Sequence, residues 1–442
     1  MDKPLNTSIL STDWYEFPTM FYEYYFHLGV NWVSGAYNRT KAVRTADIIP
    51  EEAIREQLAA VQALRFDEKQ IAFLRGTGTF AADPLGFEQY LRDFQFARMD
   101  VYAKDGQWMV DTCDLFAETF VTVTINGLLN HYREKQIGIS REKVFAEAER
   151  TLRAKIPTLR KLPKGSVLEF GTRRAYSPEW QRRELEILLN EVPEIVTATS
   201  NVQLALDFGI PWAGTHPHAG VLLEILMALI KIFEHGNFTL EEKIAILRAA
   251  HMQFFKNWWK IFPYASRVAL TDTFGDDAFW TDWSYDLAYE GRGYRWDSDP
   301  WKKWTDRTVA ENLKLGIPLT DRYSGKDAVY SDGLDPEAMY AISEYTHTLP
   351  TQDAAKRMFR QVLFGWGTDG SNDTGGLKAL GFTPISLVFK PKYGFYQGQK
   401  LWLVKISNNP AKMTEAPAEF QQLMLQAFGY EMSEHQFVRP VV

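Results

Sequence analysis

The chain has 442 residues, 45% of them apolar, with 49 basic and 56 acidic side chains and a net charge of −7. That length exceeds what one hydrophobic core usually supports and predicts two domains, while the acidic balance argues against a general nucleic-acid surface and leaves room for a local basic pocket. A single cysteine, Cys113, excludes an internal disulfide and any multi-cysteine zinc or iron–sulfur centre, and reads as a buried or incidental thiol.

The opening MDKPLNTSIL lacks the basic-then-apolar order of a secretory signal. Aromatics crowd the next stretch, from Trp14 and Tyr15 through Phe17, Phe21 and Tyr22 to Phe26. Such a cluster suits a core, a subunit interface or a stacking wall for a planar ligand. Helices are predicted over 50–65, 86–95, 114–134 and 141–157, with short strands over 97–103 and 107–110. Leu162-Pro163-Lys164-Gly165 then marks a turn.

Beyond it, about eight short apolar runs recur: VLEFGTRR (167–174), EIVTATSN (194–201), IPWAGTHPH (210–218), RVALTDT (267–273), GYRWDSD (293–299), AVYSDGL (328–334), VLFGWGTDG (362–370) and ISLVFK (385–390). Helical segments fall between several of them, over 178–189, 219–234, 240–259, 300–314, 336–345 and 351–360. The most apolar, 221–233, is interrupted by Glu224 and Lys231 and is too short to span a bilayer. A soluble cytoplasmic protein with no membrane partner is therefore expected. Apolar strands without polar alternation, separated by helices, predict parallel strands covered outside, as in a closed (β/α) barrel, with a doubly wound sheet as the alternative. The expected organisation is an N-terminal α+β domain over 1–135, a barrel over 136–384 and a C-terminal segment over 385–442 packing on the first domain.

In a barrel, polar residues at the C-terminal strand ends face one mouth. Arg173, Asn201, His218, Asp272, Asp297, Asp332 and Thr368 would converge there. FGTRR (170–174) offers two planar guanidinium forks suited to phosphate or carboxylate, although a structural ion pair would also use them. FGWGTDGSNDTGG (364–376) follows a strand, and its glycine-freed N–H groups with Thr368 and Ser371 would cradle a terminal phosphate. It is neither of the common nucleotide-binding glycine motifs. The acidic strand ends at Asp272, Asp297 and Asp332 need partners: Arg295, ribose hydroxyls, or a magnesium ion held mainly by a diphosphate. The protein alone offers too few ligands for a metal. His218, at a strand end, is suited to proton transfer or attack on a phosphoryl group.

These motifs resemble the nicotinate phosphoribosyltransferase family. The likeness begins at LSTDWYEFPTM (10–20) and runs in order through EFGTRRAYS (169–177), ATSNVQLA (198–205), GTHPH (214–218), ALTDTFG (269–275), YRWDSDP (294–300), YSDGLD (330–335), FGWGT (364–368) and VKISNNPAK (404–412). The resemblance implies an α/β fold of the type II phosphoribosyltransferase kind, a (β/α) barrel with an additional α+β domain. It implies ligase-type formation of nicotinate mononucleotide and diphosphate from nicotinate and 5-phosphoribosyl 1-diphosphate in NAD biosynthesis. ATP hydrolysis would be coupled through a phosphohistidine at His218, with Mg²⁺ and a homodimer sharing its sites. Tyr15 and Phe170 would sandwich the pyridine ring. Arg173 and Arg295 would hold nicotinate or phosphates, Thr199, Ser200 and Asn201 would line the substrate, and Asp272, Asp297 and Asp332 would orient ribose or magnesium. Gly367 and Thr368 would take the 5′-phosphate, and Lys405 and Lys412 match basic positions of less defined role.

Several positions depart from the family pattern. Proline precedes His218 and Ala219 replaces a glutamate, which predicts a histidine short of orienting support. RWDSDP lacks one glycine of the usual motif, shortening the loop at Asp297 and Asp299. Ala198 and Ala411 stand where glycine is usual. The alternatives are a divergent enzyme using nicotinamide or quinolinate, and a barrel scaffold or sensor that has lost activity.

Overall fold

The computed structural model describes residues 3–298, 300–320, 325–347, 358–408, 412–433 and 436–438. Asp299, Ala411 and most of the helix predicted over 351–360 lie outside them. Two sheets organise the chain. The first is antiparallel, in the order β11-β10-β1-β3-β2, built from β1 (Trp32–Asn38), β2 (Met99–Lys104), β3 (Gln107–Thr112), β10 (Leu387–Tyr396) and β11 (Gln399–Trp402). The β2–β3 turn is Asp105-Gly106, both at positive φ, the conformation a tight two-residue hairpin requires.

The second sheet is parallel and six-stranded, in the order β5-β4-β9-β8-β7-β6. Its strands are β4 (Val167–Glu169), β5 (Val196–Thr199), β6 (Val268–Leu270), β7 (Gly293–Trp296), β8 (Asp327–Ser331) and β9 (Gln361–Trp366). Two of the eight predicted runs are therefore not members. ISLVFK enters β10 and pairs antiparallel with β1, because the alternating Lys390 and Lys392 of β10 suit a one-sided sheet. IPWAGTHPH makes one parallel bridge, Thr199 with Trp212, and no strand, since two prolines remove ladder donors. The gap this leaves beside β6 is bridged by a side chain. His216, wholly buried, accepts the Leu270 backbone N–H on Nε2 at 3.0 Å. Burial drives its imidazole down to about 3, so the ring stays neutral and able to accept.

Helix Pro178–Glu191 follows β4, capped by Ser177 on the Trp180 N–H. His218–His235 and Leu240–Ile261 form an antiparallel pair between β5 and β6, where Gly220 lets the Phe254 ring approach closely. Trp14, Phe17, Phe21 and Tyr22 are core residues, so the N-terminal aromatic cluster packs inside this chain. The segment before them lies along the barrel: Gln203 N–H to Leu10 C=O, Val202 N–H to Thr12 C=O, Trp14 N–H to Ser200 C=O. Ala198 lies in β5, just past an irregularity in its pairing with β4, and without the positive φ that would call for glycine. Cys113 is exposed, not buried, and its thiol is pushed up by partial desolvation and nearby aspartates. Among the described residues no helix is long and apolar enough to cross a membrane.

Candidate active site

Parallel pairing in register brings the C-terminal ends of β4, β9, β8, β7 and β6 to one edge: Glu169 opposite Trp366, Ser331 opposite Gly365, Trp296 opposite Tyr330, Leu270 opposite Arg295. Next to β6 lies His218, the first residue of its helix. Its Nδ1 is 3.0 Å from Thr273 Oγ1, and its Nε2 is 2.8 Å from Lys405 Nζ. An ammonium can only donate, so Nε2 holds the lone pair and Nδ1–H donates to Thr273. Asp297 and Asp272 stand 3.4 and 3.7 Å from Nε2. Burial, then the Lys405 charge, push the imidazole down to about 4 against the pull of the two carboxylates. It is a neutral base at pH 7. The support predicted to be missing with the absent glutamate is supplied by Thr273.

Asp272 is buried, and Ser298 and Ser407 donate to its Oδ2 at 2.7 and 3.0 Å. Burial alone would raise its pKa, but Lys405 and the histidine outweigh that and keep it low. Asp297 is likewise held ionised against burial, chiefly by Arg295, whose guanidinium is 3.0 Å away. Arg295 also donates to Ser331 and Thr215, each at 2.9 Å, so the ends of β7 and β8 and the 210–218 segment are tied through one side chain. Asp332 adopts a positive φ of 105°, an unusual conformation for a non-glycine, and accepts from Lys412 at 2.8 Å.

The β4 side of the mouth is basic. Arg173 reaches Asp13 at 2.9 Å and Glu118 at 2.6 Å, with its guanidinium 5.2 Å from the Tyr15 ring centre. This is the ion-pair outcome, and it places Tyr15 and Arg173 of a single chain together. Arg174 instead makes no hydrogen bond or ion pair through its side chain among the described residues, although burial and Arg173 lower it to about 10. It remains charged and free for an anion. Phe170 lies against Gly365, where any Cβ would come within 2.5 Å of the ring. The ATSN residues serve the fold: Thr199 donates to buried Glu169, Asn201 caps Val202–Phe208, and Ser200 Oγ meets Thr172 Oγ1 at 3.1 Å. Gly367 and Thr368 begin the turn after β9, whereas Ser371, expected to face a phosphate, bonds the Gly367 carbonyl at 3.1 Å.

Over residues 166–432 the sequence matches the model of the nicotinate phosphoribosyltransferase (NAPRTase) family. The chain belongs to that family. Its fold is similar to a nicotinate phosphoribosyltransferase structure from Vibrio cholerae, at 25% identity and TM-score 0.78 over 98% of this chain and 96% of that one. A nicotinate phosphoribosyltransferase structure from Porphyromonas gingivalis gives 22% identity and TM-score 0.77, over 96% of this chain and 99% of the other.

Within this family member, the site residues missed from sequence are mostly short hydroxyl side chains: Thr215, Thr273, Ser298, Ser331 and Ser407. Each lies one to three residues from a titratable residue that was singled out. Arranging second partners for buried charges is what such neighbours do, and that adjacency was the available signal. Asn408 is another, bonding both the Asp276 carboxylate at 2.7 Å and Ser298 at 3.2 Å.

Proposed function

We propose that this family member joins nicotinate to 5-phosphoribosyl 1-diphosphate, giving nicotinate mononucleotide and diphosphate for NAD biosynthesis, with ATP hydrolysis coupled through phosphorylation of His218. The observation that carries the reading is the His218 imidazole: neutral, oriented by Thr273, and presenting the Nε2 lone pair beside Lys405. Attack by Nε2 on the ATP γ-phosphorus forms the N–P bond as the bond to ADP breaks, and Lys405 is positioned to neutralise the transferred group.

For base transfer, Tyr15 and Phe170 would hold the pyridine ring, and Arg174 with Arg173 would meet carboxylate or phosphate. The ring nitrogen attacks C1 of the ribose while the C1–diphosphate bond breaks. Positive charge grows on the sugar, near Asp297 and Asp332, and negative charge grows on the leaving group. Asp332 would orient ribose hydroxyls, and Gly367 and Thr368 would bind the 5′-phosphate.

The donor set suits magnesium. His218, Asp272 and Asp297 present ligand atoms within 4.8 Å of one another, and the buried Asp272 Oδ1 has no hydrogen-bond partner among the described residues. Asp272 and Asp297 are the residues that would hold it. When bound, the ion would neutralise diphosphate charge.

Purified protein given phosphoribosyl diphosphate, Mg²⁺ and nicotinate, nicotinamide or quinolinate in turn is expected to form a mononucleotide with nicotinate, faster with ATP. A preference for either other base would overturn the substrate assignment, and diphosphate release independent of any base would mean simple hydrolysis. We also propose a cytoplasmic homodimer with shared sites. An open groove of about 1100 Å³ over the antiparallel sheet supports the dimer, since Tyr102, Tyr393, Phe395 and Trp402 line it beside charged groups such as Lys392 and Asp111. Sedimentation is expected to give twice the 50.9 kDa chain mass; a monomer at micromolar concentration would exclude it.

A further inference from the structure

The turn after β9 poses an electrostatic problem. Within 367–376 it carries Asp369 and Asp373, so a dianionic phosphate arriving there meets two like charges. One side chain answers both. Lys155, on helix Arg141–Leu159, donates from Nζ to the Asp369 carbonyl at 2.6 Å, to Asp369 Oδ1 at 2.8 Å and to Asp373 Oδ2 at 2.7 Å. These bonds use all three ammonium donors, and the side chain is only 14% exposed. Lys378 reaches the other Asp373 oxygen at 2.6 Å, while among the described residues Asp369 has only the Trp366 indole as a further side-chain donor, at 3.2 Å. Burial raises the Asp373 carboxyl, but the two lysines outweigh it and hold it ionised at about 2.

A third carboxyl lies beneath the turn. Glu184 is wholly buried, and neither of its oxygens has a partner among the described residues. A Cβ on Gly370 would stand 2.6 Å from Glu184 Oε1, so the turn packs directly on this carboxyl. Burial, with the Glu169 charge, pushes the Glu184 carboxyl well above the usual carboxylate range against the pull of Lys155. The turn itself carries the two aspartates, and Lys155 is the cation that touches both among the described residues.

We propose that Lys155 is a positioning residue for phosphoribosyl binding: it neutralises Asp369 and Asp373 and ties them to its helix, making the 367–371 turn receptive to the 5′-phosphate. This rests on the reading of that turn as the 5′-phosphate site. Lys155 itself touches no substrate.

Lys155→Met is expected to raise KM for phosphoribosyl diphosphate by roughly 10- to 100-fold, with kcat and the KM for nicotinate changed less than about 2-fold. Lys155→Arg keeps the charge and should stay within about 3-fold of the parent. In the Lys155→Met/Asp369→Asn/Asp373→Asn variant the repulsion is gone, and KM should return to within about 5-fold of the parent. An unchanged KM in Lys155→Met overturns the proposal. So does a triple variant as impaired as the single one, because Lys155 would then act only as scaffold. Should Lys155→Met fail to fold, the comparison of Asp369→Asn/Asp373→Asn with the triple variant decides: equal KM values support charge neutralisation, unequal values refute it. Thr368→Ala separates this from the reading beneath it. An unchanged KM there removes the turn as phosphate site and the proposal with it, whereas a raised KM beside an unaffected Lys155→Met removes Lys155 alone.

Discussion

His218→Ala is expected to abolish the stimulation of nucleotide formation by ATP while leaving slow, ATP-independent transfer. The ring is a neutral nucleophile beside the ionised Asp272 and Asp297, and alanine removes both Nε2 and the hydrogen bond to Thr273. Transfer at C1 would lean on Arg295, Asp297 and the β4 arginines, which the substitution leaves in place, so the coupled rate should fall about 10³-fold or more and the uncoupled rate far less. Radiolabel from γ-labelled ATP should be retained by the parent protein and not by the variant. Full ATP dependence in His218→Ala would refute the phosphohistidine. The pH profile adds a second check. The folded imidazole is depressed to about 4 from an ordinary value near 6.5, so it stays unprotonated between those values while an unfolded chain takes up a proton. Phosphohistidine formation should accordingly stay level from pH 8 down to about 5.5. The stability held by this neutral ring is present above pH 6.5 and declines as pH falls toward 4, by about 1.4 kcal/mol per unit.

Asp297→Asn is expected to lower kcat by about 10³-fold with a smaller change in KM. The carboxylate stands between Arg295 at 3.0 Å, Ser331 at 3.0 Å and His218 Nε2 at 3.4 Å. An amide of the same shape keeps the packing but removes the charge that Arg295 faces and the charge nearest the developing cation. Breaking a mostly buried pair by removing one partner costs about 3–5 kcal/mol, so some loss of melting temperature should accompany the kinetic loss. Steady-state rates with both substrates saturating measure the first effect and thermal unfolding the second. A variant with parental kcat would remove Asp297 from the chemistry.

The arginines, aspartates and histidine of the mouth were legible because barrel topology converts scattered strand ends into one neighbourhood, and the family resemblance put them in order. Which of two adjacent arginines stays free was not. Arg173 and Arg174 are equivalent in sequence, and the difference arises from Asp13 and Glu118, brought in from distant segments. The strand count failed for a related reason. Lys390 at the end of ISLVFK and Lys392 just beyond it already signalled a one-sided strand, while the prolines of IPWAGTHPH argued against a ladder. Thr199 and Asn201 read as ligand groups because hydroxyls and amides at strand ends often are. Here Glu169, which burial raises to about 7 against its hydrogen bonds, claims Thr199, and a helix start claims Asn201.

Lys405, Ser407 and Asn408 come from the last tenth of the chain, 187 residues after His218 in the case of Lys405. During synthesis on a ribosome, every strand of the parallel sheet emerges before the cation that neutralises Asp272. A chain ending ahead of residue 403 would lack Lys405 and Lys412, the lysines beside Asp272 and Asp332, and would keep only Arg295 beside Asp297. A chain trimmed ahead of Lys405 would keep the sequence of all six parallel strands and lose the lysine that stands beside His218 and Asp272.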